Sequence, residues 1–229
     1  VRASLGGASL GGAAGGIGTV TRVGAAHHLR LYDPAPAWNP LARLVAALYD
    51  RLAQGMFLSG MTGPVDRRES PGAAPRARYA DFLGVNYYTR DMVRLAPDPE
   101  ILFGRRYVRP GAPVNDLGWE IYPEGLYRVG KRLAAEYPGL PILITENGTA
   151  DRADAFRSRY LYDHLNQTSR LIAEGIPVEG YYHWTLMDNF EWIEGFSARF
   201  GLYHTDFATQ KRSLRKSGEL YREFCRNRG

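Results

Sequence analysis

Residues 141–149 read PILITENGT, a short apolar run that ends in a single acid, Glu146. A run this short and this rich in β-branched residues is typical of a buried parallel strand. In α/β barrels, side chains at the carboxyl ends of such strands carry the chemistry. The stretch therefore predicts a strand over residues 141–145, with Glu146 at the end of the sheet where a functional site would lie.

Strand and helix signals alternate on both sides of this stretch. Further strands are predicted over residues 81–88 and 178–184, and within 19–32, where Asp33-Pro34-Ala35-Pro36 is expected to end a strand near Leu31. Helices are predicted over residues 39–58, 123–137, 154–174 and 214–226, the first with Asn39 as its N-cap. The sequence therefore predicts an α/β fold of four consecutive strand–helix units, whose strand ends share one face.

Three segments lie outside this alternation. Residues 1–18 are rich in Gly and Ala and have little apolar periodicity, so they are predicted to be flexible. Residues 62–78 are predicted to form a surface loop, because Gly, Pro and Arg dominate them, and residues 186–212 are predicted to form a long loop. Residues 19–229 are accordingly predicted to form one domain.

Composition limits the class of protein. No run of about 18 apolar residues occurs, so no membrane partner is expected, and no secretory signal is seen, which favours a cytoplasmic location. The net charge of +5 comes from scattered arginines rather than from one basic face, which argues against a nucleic-acid partner. The single cysteine, Cys225, excludes an internal disulfide and is expected to be buried in the last helix.

Two more motifs accompany Glu146. Residues 84–89 read GVNYYT, and strand alternation places Asn86 and Tyr88 on one face. Residues 182–192 read YHWTLMDNFEW, in which Trp184 and Trp192 flank an acid, Glu191. Indoles stack on the apolar faces of sugars, and a carboxylate accepts hydrogen bonds from neighbouring hydroxyls. Residues of these types at this spacing can bind a sugar.

Taken together, the three motifs resemble the C-terminal half of a family 1 retaining β-glycosidase. The resemblance covers about residues 19–229 and is strongest over 79–224. It implies a (β/α)8 TIM-barrel type of fold, of which this chain would form roughly the C-terminal half-barrel, strands five to eight. It also implies hydrolysis of β-glucosides, with β-galactosides and β-fucosides as further candidates, and no metal or cofactor.

The same resemblance implies a role for each site residue. Glu146 would be the nucleophile, Tyr88 would hold it by a hydrogen bond, and Asn86 would lie beside it. The sugar contacts would come from Trp184 at the floor, Glu191 on the 4- and 6-hydroxyls, Trp192 on the 3-hydroxyl, Phe200 near the 6-position and Trp119 at the border of the aglycone subsite. Glu191 also disfavours a 6-phosphorylated substrate, since its charge would repel the phosphate.

The second carboxylate of the mechanism is missing. A retaining glycosidase needs an acid/base about 5–5.5 Å from the nucleophile, and in the family it lies in an Asn-Glu-Pro motif that this sequence lacks. Four strands also leave two open sheet edges, which invite a companion N-terminal half-barrel or a second copy. We therefore expect little or no hydrolase activity from this chain by itself. The alternative is a non-catalytic remnant that binds sugar weakly or only assembles with a partner half.

Other polar residues are weaker candidates. Glu120 and Glu124 are expected to be structural, with Glu124 in the first turn of a helix, where an anion suits the dipole. The five histidines show no metal-ligand spacing. His183 is expected to point away from the pocket, and the pair His27-His28, near a strand end, is the only suggestive histidine feature.

Overall fold

Four parallel strands form the framework of the chain. The computed structural model describes residues 21–62 and 79–227. Its strands are β1 (Gly24–Ala35), β2 (Phe82–Leu95), β3 (Gly104–Tyr107), β4 (Ile142–Asn147), β5 (Val178–His183), β6 (Tyr203–Thr205) and β7 (Arg212–Leu214). Strands β1, β2, β4 and β5 are neighbours in that order and run parallel, while β3 pairs antiparallel with the end of β2 and β6 pairs with β7.

Helices connect the parallel strands, as the sequence predicts. They are α1 (Pro40–Asp50), α2 (Met56–Thr62), α3 (Glu124–Glu136), α4 (Arg157–Ala173) and α5 (Lys216–Arg226). The Asn39 side chain accepts hydrogen bonds from the first backbone amides of α1, which confirms it as the N-cap. A π-helical turn over Arg51–Gly55 joins α1 to α2, so the helix predicted over 39–58 continues to Thr62.

The main core lies between the sheet and the helices α3 and α4. Strands β2 and β4 contribute Leu83, Val85, Ile142 and Ile144, each almost fully buried. They pack against helix residues at helical spacing, namely Leu126, Val129 and Leu133 of α3 with Leu161 and Leu171 of α4. Burial of each such side chain stabilises the fold by about 1.5–3 kcal/mol.

A β-bulge in β4 decides where Glu146 points. Alternation from Ile142 and Ile144 would place Glu146 on the face that packs against the helices. The register instead shifts: Ile144 pairs with Val85 but Glu146 pairs with the next residue, Asn86, so Thr145 is an extra residue. The bulge turns Glu146 to the opposite face, which it shares with Asn86.

Several predicted boundaries differ from the observed ones. Strand β1 continues through Pro34 to Ala35, because β1 lies at a sheet edge, where the missing proline N–H is tolerated. Strand β2 continues to Leu95, because its end pairs with both β1 and β3. The loop predicted over 186–212 contains β6, and β7 begins at its end; a three-residue strand is too short to show alternation.

Three further predictions concern Cys225, membrane-spanning helices and the two loop segments. Cys225 is exposed, so its predicted burial is wrong: it lies on the solvent side of α5. Within the described residues, no helix is both long and apolar enough to span a bilayer. Residues 1–18, and all of the predicted 62–78 loop after Thr62, lie outside the described residues.

The apolar stripe of α1, which continues into the π-helical turn, faces away from the core. Ala42, Val45 and Ala46 are buried, yet the leucines at helical spacing, Leu41, Leu44, Leu48 and Leu52, are all at least 37% exposed. This stripe continues onto Met56 and Phe57 of α2. A contiguous apolar face of this kind is typical of an interaction surface.

Candidate active site

A pocket of about 380 Å³ opens beside the carboxyl ends of the parallel strands. Its wall brings together most of the residues singled out in the sequence: Tyr88, Trp119, Glu146, Trp184, Glu191, Trp192 and Phe200. These come from β2, from β4 and from two connections, the one between β3 and α3 and the one between β5 and β6. The parallel sheet assembles them because it gathers the strand ends at one edge.

The pair Tyr88 and Glu146 forms the polar centre of the pocket. The Tyr88 hydroxyl donates a hydrogen bond to Oε2 of Glu146 over 2.6 Å. Burial raises the pKa of Tyr88 well above its ordinary value, and the bond to Glu146 raises it further, so the phenol stays protonated as a donor. The bond orients one carboxylate oxygen and leaves the other available.

Asn147 and Gly148, which follow Glu146, hold the bulge in place. The Asn147 amide donates to the carbonyl of Tyr87 and accepts from the hydroxyl of Tyr181, so it ties β4 to both neighbouring strands. A Cβ on Gly148 would lie 1.9 Å from the carbonyl oxygen of Trp184. Only glycine therefore lets the ends of β4 and β5 approach so closely.

Trp184 and Glu191 form a second polar pair. The indole Nε1–H of Trp184 donates to Oε1 of Glu191 over 3.2 Å. Burial raises the pKa of Glu191 above its ordinary value, the Trp184 bond opposes that shift, and the charges of Glu146 and Asp188 add to it. Glu191 therefore accepts a proton at a higher pH than a free glutamate would.

This raised pKa gives a measurable titration. As the pH falls, protonation of Glu191 removes the charge beside the Trp184 indole and should change the tryptophan fluorescence. Because the pKa of Glu191 is raised, this change should occur at a higher pH than the one at which an ordinary glutamate titrates. Fluorescence followed from pH 8 to pH 4 measures it. Glu191→Gln should remove this transition, and an unchanged titration in that variant would contradict the assignment.

Aromatic rings complete the wall on the other side of Tyr88. Trp119 and Phe200 contact Tyr88 edge-on, with ring centroids 6.0 and 6.3 Å away. The Asn115 carboxamide oxygen accepts from the backbone amide of Trp119 and so fixes its loop. Trp192 is 81% exposed, so it lies at the rim rather than inside the pocket.

A buried ionic network supports the loop that carries Glu191. The Asp188 carboxylate accepts from the guanidinium of Arg215 and from the backbone amide of Gly201. The fully buried Arg157 donates to the carbonyl of Gly201 and to Asp154. These bonds hold the 186–202 segment against α4 and α5.

Asn86 is the one predicted site residue outside the pocket wall. It lies on the same sheet face as Tyr88, as alternation predicts, but its side-chain oxygen accepts from the Thr145 hydroxyl over 2.6 Å. It thus contacts the bulge that turns Glu146.

Glu120 and Glu124 do not line the pocket. Glu120 is buried and bonded through both oxygens to Arg90, which confirms a structural role. Glu124 begins α3.

Four lining residues were not predicted as site residues: His28, Leu117, Ile193 and Glu194. His28 is the informative one, because it pairs with Asn86 in the sheet and its ring meets Tyr88 edge-on at 5.6 Å. The sequence signal for His28 is its place near the strand end that was predicted at Leu31. His183 is part-buried and absent from the wall, in line with its expected orientation.

Within residues 21–62 and 79–227, no group of three or more His, Cys, Asp or Glu side chains is arranged to hold a metal ion. The pocket's polar groups are carboxylates, a phenol, indoles and an imidazole, which can bind hydroxyl groups directly.

Comparison with known proteins decides the family. The model of glycosyl hydrolase family 1 matches residues 74–229. This chain belongs to glycosyl hydrolase family 1. Membership confirms the family that the three motifs predicted, and residues 74–229 contain Glu146 and every other predicted site residue.

Curated relatives from the family agree. Over 157 residues the chain is 44% identical to a β-galactosidase of Sulfolobus acidocaldarius. The matched segment covers 65% of this chain and 32% of that protein. The chain is 40% identical over 158 residues to β-glucosidase A of Thermotoga maritima, covering 65% of this chain and 35% of that one. The match therefore spans about a third of these relatives' length.

Solved family 1 structures match over a larger part of the chain. A β-glycosidase from Pyrococcus horikoshii superposes with a TM-score of 0.78 at 35% identity, over 90% of this chain and 48% of that one. A family 1 β-glucosidase from Thermotoga maritima superposes with a TM-score of 0.79 at 31% identity, over 91% of this chain and 51% of that one. The four parallel strand–helix units thus correspond to about half of a family 1 barrel, which confirms the predicted fold class.

Proposed function

We propose that this chain supplies the nucleophile half of a retaining β-glycosidase. The observation that carries the proposal is the 2.6 Å hydrogen bond from Tyr88 to Glu146 inside an aromatic-walled pocket. A carboxylate held by one oxygen beside a sugar-sized cavity is positioned for attack on an anomeric carbon. Family membership and the names of the relatives support the same reaction class.

The reaction proceeds in two displacements. The free oxygen of Glu146 forms a bond to the anomeric carbon, and the glycosidic bond breaks, with its electron pair leaving on the aglycone oxygen. The aglycone oxygen takes a proton from solvent. Water then attacks the same carbon and releases a proton to solvent, the ester bond to Glu146 breaks, and the sugar leaves with its configuration retained. Loss of a positioned proton donor costs about 10²–10⁴-fold, so poor leaving groups should turn over slowly on this chain.

The proposed substrates are neutral β-glucosides, with β-galactosides and β-fucosides as further candidates. Trp184 offers its ring to the sugar, and Glu191 accepts from hydroxyls on one edge. A buried anion at Glu191 disfavours a 6-phosphate in the same place. Relatives named β-galactosidase, β-glucosidase and β-D-glucosidase/β-D-fucosidase support this range.

Trapping the glycosyl-enzyme tests the function. A 2-deoxy-2-fluoro β-glucoside with an activated leaving group needs little acid help. We therefore expect the protein to gain one sugar mass in mass spectrometry, with the label on the peptide that contains Glu146. If no adduct forms and no sugar binds, the function proposed here is wrong and the chain is the non-catalytic remnant.

Tyr88→Phe should slow this labelling. The variant keeps the ring but loses the hydrogen bond to Glu146, and a bond to a charged group contributes about 1.5–3 kcal/mol, or roughly ten- to hundredfold in rate. Tyr87→Phe is the matched control, since that hydroxyl donates to the Tyr122 carbonyl on the other face. Equal labelling rates for Tyr88→Phe and the unmodified protein would remove Tyr88 from the mechanism.

A companion half-barrel is the proposed partner. Strands β1 and β5 are the ends of the four-strand parallel array, and the exposed stripe of α1 lies beside β1. A second half would pair with both edges, cover the stripe and contribute the missing acid. A second copy of this chain would add no Asn-Glu-Pro motif, so it fits less well.

The exposed apolar stripe of α1 should affect how the isolated chain associates. Without its companion, the apolar face should drive concentration-dependent self-association, which analytical ultracentrifugation detects. Leu44→Glu, at a position 67% exposed, should weaken this association without lowering the helix content. A chain that stays monomeric at high concentration would argue that the stripe is not an interface.

A further inference from the structure

The sheet holds Glu146 less firmly than the residues on either side of it. Pairing between β4 and β5 stops at Ile144 and resumes at Asn147. The two residues between them, Thr145 and Glu146, therefore have no partner on β5. On the β2 side the register shifts over the same stretch. Asn147 is thus the first point after Glu146 at which β4 is aligned with both of its neighbours.

The side chain of Asn147 is fully buried and bonded on both of its polar atoms. Its Nδ2 donates to the carbonyl of Tyr87 over 2.7 Å and to the hydroxyl of Tyr160 over 3.0 Å. Its Oδ1 accepts from the hydroxyl of Tyr181 over 2.7 Å. Because the amide has no exposed surface, a bond that is lost here is not replaced by bulk water.

Tyr160 braces this amide from α4. Its side chain is buried, and the ring of His164, one turn further along the helix, stacks on it with centroids 3.8 Å apart. Nδ1 of His164 donates to the Tyr160 carbonyl over 2.8 Å, which fixes the imidazole against the phenol. Burial raises the pKa of Tyr160 above its ordinary value, and bonds from Asn147 and the Gly148 backbone amide oppose that shift. The phenol is therefore neutral, and its oxygen accepts from the strand end.

Tyr181 braces the same amide from β5. It is buried, and its backbone carbonyl accepts from the Tyr221 hydroxyl of α5 over 3.2 Å. Neither Tyr160 nor Tyr181 lines the Glu146 pocket, so neither ring is placed to touch a sugar there. Any effect of these two phenols on the reaction must pass through Asn147.

We propose that Tyr160 and Tyr181 are positioning residues for the nucleophile, which clamp the Asn147 amide and so fix the direction of the Glu146 carboxylate. The inference rests on the proposed function, because it concerns the attack of that carboxylate on a sugar. A misplacement of about 1 Å in a reacting group can slow a reaction about a hundredfold. Loss of one clamp bond should therefore slow the attack about tenfold and leave the affinity for sugar unchanged.

Tyr160→Phe and Tyr181→Phe test the clamp, since each keeps the ring and removes one oxygen. Labelling by the 2-deoxy-2-fluoro β-glucoside over a range of concentrations gives a limiting rate and an apparent affinity. We expect the limiting rate to fall about tenfold in each variant. The affinity for methyl β-glucoside, measured by calorimetry, should stay within about twofold. A role in stability alone would not produce this split in a variant whose circular dichroism shows it to be folded.

Tyr49→Phe is the matched control. The Tyr49 hydroxyl donates to the carbonyls of Ile101 and Gly104, and the residue is absent from the wall of the Glu146 pocket. This variant also loses bonds between a phenol and polar groups of the protein, but none of them leads to Asn147. It should label at the rate of the unmodified protein.

The double variant tests whether both phenols act through the one amide. Residues that act on a shared partner have effects that do not add. Once either bond is lost the amide is free, so Tyr160→Phe combined with Tyr181→Phe should label within about twofold of the slower single variant. A loss near a hundredfold, the product of two tenfold effects, would show separate routes and overturn the clamp.

The remaining outcomes also decide the inference. Unchanged limiting rates in the folded single variants would overturn it, as would an equal slowing in Tyr49→Phe or a loss of sugar affinity as large as the loss of rate. If one single variant does not fold, the other tests the same amide. An unmodified protein that takes no label would overturn the proposed function and the clamp with it, whereas a labelled protein with unaffected variants would overturn the clamp alone.

Discussion

Glu146→Gln should abolish labelling by the 2-deoxy-2-fluoro glycoside. The amide keeps the size of the side chain and can still meet Tyr88, but it has no anionic oxygen to bond with the anomeric carbon. Removal of a catalytic nucleophile lowers rates by a factor on the order of 10⁴ or more. Intact-mass spectrometry over hours should detect a complete adduct on the unmodified protein and none on the variant.

The control for this result is another acid in the same wall. Glu194 lines the pocket but is exposed at its rim, so Glu194→Gln should label at the rate of the unmodified protein. Methyl β-glucoside, a neutral single-ring ligand, should still bind Glu146→Gln, and this binding would show that the pocket is intact. An adduct on Glu146→Gln, or labelling lost in Glu194→Gln instead, would assign the nucleophile elsewhere.

Of the variants proposed for this protein, Arg157→Leu should lower the free energy of unfolding most. Arg157 is fully buried near the start of α4, where its guanidinium pairs with Asp154 over 2.7 Å and donates to the carbonyls of Arg199 and Gly201. Leucine would leave the carboxylate and the carbonyls without these donors. Breaking a buried ion pair by removing one partner costs about 3–5 kcal/mol.

Urea unfolding followed by circular dichroism measures this loss. Arg159→Leu is the control, because Arg159 lies two residues further along α4, is 78% exposed at its side chain and pairs with Asp163. An exposed pair of this kind contributes less than about 1 kcal/mol. Similar unfolding free energies for the two variants would show that the buried network does not hold the loop that carries Glu191.

Much of the site followed from local sequence. Glu146 and Trp184 lie at or just after the predicted end of a short apolar strand, Tyr88 lies at the predicted end of a strand that the structure continues to Leu95, and the pocket wall contains all three. A strand and its end are local features, because β-branched composition and turn residues mark them within a few positions. The helix N-cap at Asn39 was predictable for the same reason.

Other features depended on contacts between distant residues. His28 entered the wall because the register of β1 pairs it with Asn86, 58 positions away. Asn86 itself was placed on the correct face but bonds to Thr145, since the bulge brings that hydroxyl within reach. Neither the pairing nor the bulge has a signal in either segment alone.

The sequence by itself determined the order of the four parallel strands and their helices, the family, and the residue types of the site, because each is encoded within a short window of the chain. The tertiary structure alone decided which way Glu146 points. Strict alternation from Ile144 would have directed its carboxylate among the helices, and the extra residue at Thr145 turns it towards Tyr88. The physical reason is that a shift of one residue in strand pairing reverses the face of every side chain that follows.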